Sequence, residues 1–414
     1  LLRDMELVPE EALQDTLFLG ELGLNGEIKK VKGVLPIVQE AAKSGIRRVV
    51  VPGENAMEAA VIPGITVWGV NFLNDLLAAL NHPELETEKV YQPRIRAEDL
   101  LREGTGQDTG DFREVAGQEN AKRGAEIAAA GFHNLLMIGP PGVGKSMVAG
   151  RIPGILPPLT LKESLEVTGI FSVAGLLPPG QALITRRPFY APHHTVTQAA
   201  LIGGGSGIPR PGMVSLAHRG VLFLDELPEF RKNVLDGMRQ PMEERKVQIA
   251  RSAGMVTYPS DFILVAAMNP CPCGYYPDRN KCRCTQPQIE KYLGKISGPI
   301  LDRIDLCVEL HPVDILHLQK TKTEKSSEDM KRQIRHARER QAERFAGTDC
   351  RFNGDIRSAQ VEEYCPLGEE GQKVMEQLYR TLQLSARVYH RILKTARTIA
   401  DLEDREEITG EHLL

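Results

Sequence analysis

The residues with the plainest chemistry form one short run, Gly139-Pro140-Pro141-Gly142-Val143-Gly144-Lys145-Ser146. It meets the pattern G-x-x-x-x-G-K-[ST] at every fixed position. That composition suits a polyphosphate. Glycines let the backbone wrap phosphate oxygens with its N–H groups inward, and a following helix N-terminus adds positive potential. Lys145 is expected to reach the β- and γ-phosphates of ATP, and the Ser146 hydroxyl to hold Mg²⁺.

Two further runs end in groups that complement such a loop. Val221-Leu222-Phe223-Leu224 is followed by Asp225 and Glu226. Two carboxylates at the C-terminal end of a buried strand lie where ligands bind in open parallel sheets. Asp225 is expected to support the Mg²⁺ shell and Glu226 to polarise the attacking water. Ile263 to Met268 is another apolar run, and it ends at Asn269. An amide there can hold the attacking water near the γ-phosphate.

Cys271, Cys273, Cys282 and Cys284 follow at once. Two C-x-C pairs can supply four thiolates to tetrahedral zinc. The more usual zinc pairs are C-x-x-C, so the run reads either as a structural Zn²⁺ site or as free, redox-labile thiols. The vicinal His193 and His194 have no second ligand pair at a useful spacing, and they read as a solvated or hydrogen-bonded turn.

The elements that must position these groups are legible around them. Asn134 to Ile138 reads as a buried parallel strand before the loop, and Met147 to Ile152 as a helix ended by Pro153. Ala121 to Ala130 is an alanine-rich helix. Lys246 to Tyr258 alternates around Ala253-Gly254 as a β-hairpin, with Lys246 and Arg251 near its ends. Asp329 to Phe345 is a strongly basic helix that most often serves as a solvated face. The expected fold class is α/β, a parallel sheet around the phosphate loop with a helical C-terminal region.

Composition bounds the rest. A chain of 414 residues has room for two or three domains, and 42% hydrophobic with 26% charged residues is ordinary for a soluble globular protein. The net charge of −4 leaves no global basic field, so any nucleic-acid contact must be local. No apolar run approaches the length that spans a bilayer. Seven cysteines, an odd number, argue for a reducing compartment. With no charged-then-apolar leader visible, the expected location is cytoplasmic, and Leu1 in place of Met suggests an upstream part.

The expected division is an N-terminal α+β unit over 1–80, a polar linker over 81–110, the nucleotide module over 111–318 with a cysteine-rich insert at 271–284, and a helical lid over 319–414. In the first unit, Leu17 to Leu22 reads as a strand, Asn25-Gly26 as a hairpin turn, Gly33 to Lys43 as a helix and Arg47 to Val51 as a second strand. This stretch resembles the second half of the Lon-type protease domain. Where that family places its catalytic lysine the chain has Val34-Leu35-Pro36, so no protease activity is expected.

Taken together, "GPPGVGKS", "APHHT", "ALIGGG", "GVLFLDELPEF", "AAMNPCPCG" and "GPILDRID" resemble the AAA+ ATPases of the magnesium chelatase-like group, and within it the ComM/YifB family. The resemblance covers the whole chain. It implies that Arg303 is an arginine finger acting on a neighbouring subunit's nucleotide, Asn269 sensor 1 and Arg387 sensor 2. It implies that the hairpin at 247–258 points into a ring's pore and that 171–219 is an insert in the motor's second helix. An arginine supplied by a neighbour makes hydrolysis depend on assembly, and a hexameric ring is the expectation. The implied function is an ATP-driven motor on single-stranded or branched DNA, such as a branch-migration helicase in recombination and natural transformation. The alternatives are the ATPase subunit of a metal-chelatase-type complex and an unfoldase.

Overall fold

The computed structural model describes residues 7–82, 90–93, 95–104, 110–205, 207, 209–251, 254–313 and 325–413. The chain divides into two compact units, one of residues 1–106 with 158–186, the other of 107–157 with 187–414.

The first unit is built on a βαβ crossover. Strand Thr16–Phe18 leads to helix Val34–Lys43 and on to strand Arg48–Pro52, which pairs in parallel with Thr16–Phe18 and with Thr66–Val70. The middle strand is buried from Val49 to Pro52 because both of its edges and both faces are covered. Val34, Leu35, Val38 and Ala41 recur at helical spacing and form the buried stripe of the helix. Gly33 starts it at φ 75°, a left-handed backbone that favours glycine. The expected strand over Leu17 to Leu22 is two short strands. The second, Glu21–Leu22, pairs antiparallel with Ile28–Lys29 across the Asn25-Gly26 turn.

This unit also takes in a segment whose place in the sequence assigns it to the nucleotide module. Helix Leu161–Ala174 opens on a capping box, with Thr160 Oγ1 accepting from the Glu163 N–H at 3.2 Å and Glu163 Oε2 accepting from the Thr160 N–H at 3.1 Å. Leu161, Leu165, Ala182 and Leu183 pack into the same core as Val34, Val38, Val49 and Val67. The expected insert over 171–219 is thus divided, residues 171–186 falling in this unit, with Ala182 and Leu183 buried in its core, and residues 187–219 in the other. Helix Ala97–Glu103 lies in what reads as linker, and its Ala97, Leu100 and Leu101 join that core too. The remaining linker residues 83–89, 94 and 105–109 lie outside the described residues.

The second unit carries a five-stranded parallel sheet. Its strands lie in the order Leu306–Glu309, Leu135–Ile138, Ile263–Met268, Val221–Leu224, Phe189–Tyr190. The three inner strands are apolar runs, and those from Ile263 and Val221 are buried throughout. Leu306–Glu309 alternates between half-buried and exposed, as an edge strand should. Helices Glu119–Gly131, Lys145–Ile155 and Ser327–Arg344 share one core with the sheet through Ala125, Ala128, Val148, Ile152, Met330, Ile334 and Ala337. The helix after the phosphate loop runs to Ile155, through Pro153. The proline sits near the last turn, where it removes one backbone hydrogen bond, and Ile152, Pro153 and Ile155 are all buried beside it. The C-terminal helices Glu369–Leu382 and Ala386–Leu402 complete the unit. Asp401 is fully buried there, with the Arg344 guanidinium on its two oxygens at 2.5 and 2.7 Å and the Asn353 amide at 2.8 Å. Among the described residues no helix is long and apolar enough to cross a membrane.

Candidate active site

Strand register brings the site together. Ile138 pairs with Met268, so Gly139 and Asn269 leave the sheet side by side, and Leu224 pairs with Ala266, which puts Asp225 level with Ala267, two rows behind them. All three groups therefore emerge at the carboxyl edge of the inner strands. Gly142 and Gly144 take φ 80° and 94°. A Cβ at either would meet no atom within 4 Å, so the demand on them is backbone conformation rather than space.

Lys145 is 8% exposed, and its ammonium donates to the carbonyls of Gly139 at 2.5 Å and Pro140 at 2.9 Å and to Asn269 Oδ1 at 3.0 Å. Burial lowers its pKa, against the opposite pull of Asp225 and Glu226. Ser146 Oγ donates to Asp225 Oδ2 at 2.8 Å. The ammonium, the hydroxyl, two carboxylates and the amide thus converge at one sheet edge. This donor set fits ATP with Mg²⁺: a cation and open loop N–H groups for phosphate oxygens, and a hydroxyl beside a carboxylate for a hard cation.

Glu226 stands in the left-handed region at φ 53°, which turns its side chain out of the strand. Its Oε2 lies 3.1 Å from His194 Nδ1. His194 is held in turn against His193, whose ring centroid is 4.0 Å away, and His193 Nδ1 is 2.9 Å from Thr195 Oγ1. The histidine pair is the hydrogen-bonded turn expected from spacing. Its partner Glu226, 32 positions on, carries no signal in the sequence beyond the adjacency of both runs to a nucleotide motif.

Arg303 and Arg387 are elsewhere. The Asn134 side-chain amide donates to the Arg303 carbonyl at 2.8 Å, and Asn134 immediately precedes the phosphate-loop strand. Asn134 and Gly139 are five strand steps apart, roughly 16 Å. The Arg303 guanidinium is bound to Glu243 and to the Pro299 carbonyl, and it is 13% exposed. Arg387 is largely exposed, 3.5 Å from Asp302. Both arginines line one polar recess with Arg245, Arg391, Asp302 and Asp305. The structure therefore joins Lys145, Ser146, Asp225, Glu226 and Asn269 at one end of the sheet and Arg303 with Arg387 at the other. Glu243, the resting partner of Arg303, is invisible in the sequence because the contact spans sixty positions.

The cysteines lie just past Asn269. The Sγ atoms of Cys271, Cys273, Cys282 and Cys284 are all within 4.8 Å of one another. Cys271 and Cys273 are 3.4 Å apart, Cys273 and Cys282 3.6 Å, and Cys271 and Cys282 3.8 Å. Four sulfurs at a Zn–S distance of about 2.3 Å have edges of about 3.8 Å, so the four thiols fit a tetrahedral ion. All seven cysteines are free of disulfides.

Strand Lys246–Arg251 pairs antiparallel with Gly254–Pro259, from Lys246 opposite Pro259 to Arg251 opposite Gly254. Val247, Ile249 and Tyr258 are its buried face. Lys246 is at the base, Arg251 ends the strand at the tip, and residues 252 and 253 lie outside the described residues, as does the Arg251 side chain. Three of the six lysines and arginines of the basic helix, Ser327–Arg344, meet other elements. Arg338 donates to the Ala129 carbonyl and covers the Phe352 ring, Arg340 binds Asp404 and Arg344 binds Asp401.

Residues 111–318 match the family model "Magnesium chelatase, subunit ChlI", residues 324–414 "Magnesium chelatase, subunit ChlI C-terminal" and residues 1–55 "Subunit ChlI of Mg-chelatase". The chain is 41% identical over 416 residues to the uncharacterized protein YifB of Escherichia coli, covering 100% of this chain and 78% of that protein. It is 40% identical over 405 residues to competence protein ComM of Haemophilus influenzae, covering 96% of this chain and 76% of that one. A weaker match, 26% identical over 237 residues, links 50% of the chain to 41% of Lon protease 2 of Bacillus subtilis.

Proposed function

From the premise that the chain belongs to the magnesium chelatase-like AAA+ ATPases of the ComM/YifB family, we propose that it is a ring-forming, ATP-hydrolysing motor that acts on DNA, a branch-migration helicase of recombination and natural transformation. The observation that carries the reading is the separation of Arg303 from the phosphate loop by the length of a strand. One chain cannot bring both to the same phosphate. A neighbour can, and a head-to-tail contact of that kind closes into a ring, here a hexamer.

On this reading Gly139, Pro140, Pro141, Gly142, Val143 and Gly144 wrap the phosphates of ATP, and Lys145 meets the β- and γ-oxygens. Ser146 and Asp225 hold Mg²⁺, which when bound neutralises charge on the phosphates. Glu226 takes a proton from the attacking water and Asn269 orients that water. Arg303 and Arg387 of the adjoining subunit stabilise the charge that develops on the transferred phosphoryl group. Cys271, Cys273, Cys282 and Cys284 hold a structural Zn²⁺. The DNA part rests on the competence name of one relative and on the hairpin that carries Lys246 and Arg251. The place of action is the cytoplasm.

ATP turnover measured alone, with single-stranded DNA, with duplex and with a four-way junction tests the reading. Stimulation of several-fold by the single strand or the junction, with ATP-dependent resolution of the junction, is the expected result. Turnover indifferent to all three DNA forms would remove DNA as the track. It would favour the chelatase-type reading, to which the name of the matched family model also points.

A further inference from the structure

The cysteine cluster is built against the nucleotide site. Cys271 comes two residues after Asn269, whose Oδ1 accepts from Lys145. The turn that carries Cys271 and Cys273 closes with the Gly274 N–H on the Cys271 carbonyl at 2.9 Å, and the Tyr276 N–H donates to Cys271 Sγ at 3.4 Å. Gly274 stands at φ 87°. A Cβ there would lie 2.7 Å from Cδ and 3.3 Å from Cγ of Pro141, inside the phosphate loop. The backbone of the cysteine turn is thus in direct contact with a proline ring of that loop. Cys271 and Cys282 are buried, 11 positions apart, and the chain returns to bring their sulfurs within 3.8 Å.

We propose that one Zn²⁺ bound by Cys271, Cys273, Cys282 and Cys284 clamps this turn against Pro141 and Asn269, so that the affinity of the phosphate loop for nucleotide depends on the metal. The inference rests on the reading of Gly139–Ser146 as an ATP site and goes beyond it by making that site conditional on the thiols. Without the ion the four sulfurs lose the bonds that tie them together, and the turn they carry is released. Pro141 and Asn269 then lose their backing, and the loop loses the preorganised shape on which phosphate affinity depends. Oxidation of any of the four sulfurs removes a ligand and has the same consequence.

The experiment measures zinc by metal analysis and the Kd of a fluorescent ATP analogue on the same samples of the full chain, purified without chelator. About one zinc per chain is expected for the parent, by the four-ligand count. Release of zinc with an organomercurial, and separately Cys282→Ser, should weaken nucleotide binding at least five-fold. Because Cys282→Ser can also disturb folding, Gly274→Ala gives the independent arm. It leaves all four thiols in place while pushing a methyl group into Pro141, so zinc should stay near one per chain while the Kd rises at least five-fold. Less than a tenth of an equivalent of zinc in the parent overturns the metal. Unchanged nucleotide affinity after zinc release overturns the coupling, and unchanged affinity in Gly274→Ala overturns the contact with Pro141 as its route. A zinc-loaded parent that binds no nucleotide at all overturns the ATP reading itself, and the coupling with it.

Discussion

At the scale of single residues, the proposed roles separate binding from hydrolysis. Lys145 is tied to two loop carbonyls and to Asn269, so it is an integral part of the loop proposed to cradle phosphate. Glu226 is outside the cradle, turned away by its left-handed backbone and partnered by His194. Glu226→Gln should therefore leave nucleotide affinity near that of the parent and lower turnover about 100-fold or more, the usual scale for a lost general base. Lys145→Ala should weaken binding itself. Nucleotide affinity and steady-state turnover for the two variants, read together, check the assignment. Parental turnover in Glu226→Gln would mean that another group activates the water.

At the scale of elements, burial sets how the nucleotide module responds to acid. His133 joins the end of helix Glu119–Gly131 to helix Ala386–Leu402, with Nε2 2.8 Å from Thr398 Oγ1. Burial, helped by the charges of Lys394 and Arg338, holds its pKa down at about 3. Asp305 is 3.9 Å from Nδ1, too far to hydrogen-bond, so the imidazole is neutral in the fold. Unfolded histidine titrates near 6.5. Below that pH the unfolded chain takes up a proton that the folded chain refuses. The stability tied to His133 is complete above pH 6.5 and is lost as pH falls from 6.5 towards 3, by up to about 1.4 kcal/mol per pH unit. Denaturation midpoints at pH 7.5 and 5.5 should fall further apart in the parent than in His133→Gln, and equal pH dependence in the two would contradict this. The hairpin yields a second prediction. Lys246 at its base and Arg251 at its tip are five strand steps apart, about 17 Å, so in the proposed ring the two positions reach to different depths of a pore that the tip enters first. Arg251→Ala should weaken DNA binding more than Lys246→Ala. It should also flatten the salt dependence, by about 0.7 to 0.9 log units for each phosphate that is no longer neutralised. Identical affinities and slopes for parent and Arg251→Ala would take the hairpin off the DNA path.

What is legible at this scale follows from where the signal lies. The buried strands ending at Ile138, Leu224 and Met268 are continuous apolar runs, and the groups after them can be read in place. Pro153 reads as a helix end, yet its cost is small in a last turn packed on all sides, and the helix continues. The helix Leu161–Ala174 borders a stretch dominated by glycines and prolines, and its place in the N-terminal core depends on packing against residues more than a hundred positions away. The thiol spacing suggests zinc, yet only the fold shows that the turn carrying it presses on Pro141. The link between His194 and Glu226 is likewise tertiary.

At the scale of the whole molecule, the proposed site is one that no single chain can complete. The phosphate loop and the Arg303–Arg387 recess occupy opposite ends of one strand, and Arg303 rests on Glu243. Arg303→Ala should keep nucleotide affinity and lose about three orders of magnitude in turnover, the scale of a lost arginine finger. The most direct measurement mixes Arg303→Ala with Lys145→Ala, each nearly inactive alone, and follows DNA-stimulated ATP turnover once mixed assemblies have been verified. In an equal, random mixture roughly a quarter of the interfaces join an intact loop to an intact finger, so turnover should recover to about a quarter of the parental rate. Verified mixed assemblies that stay as inactive as either variant alone would contradict a site shared between subunits.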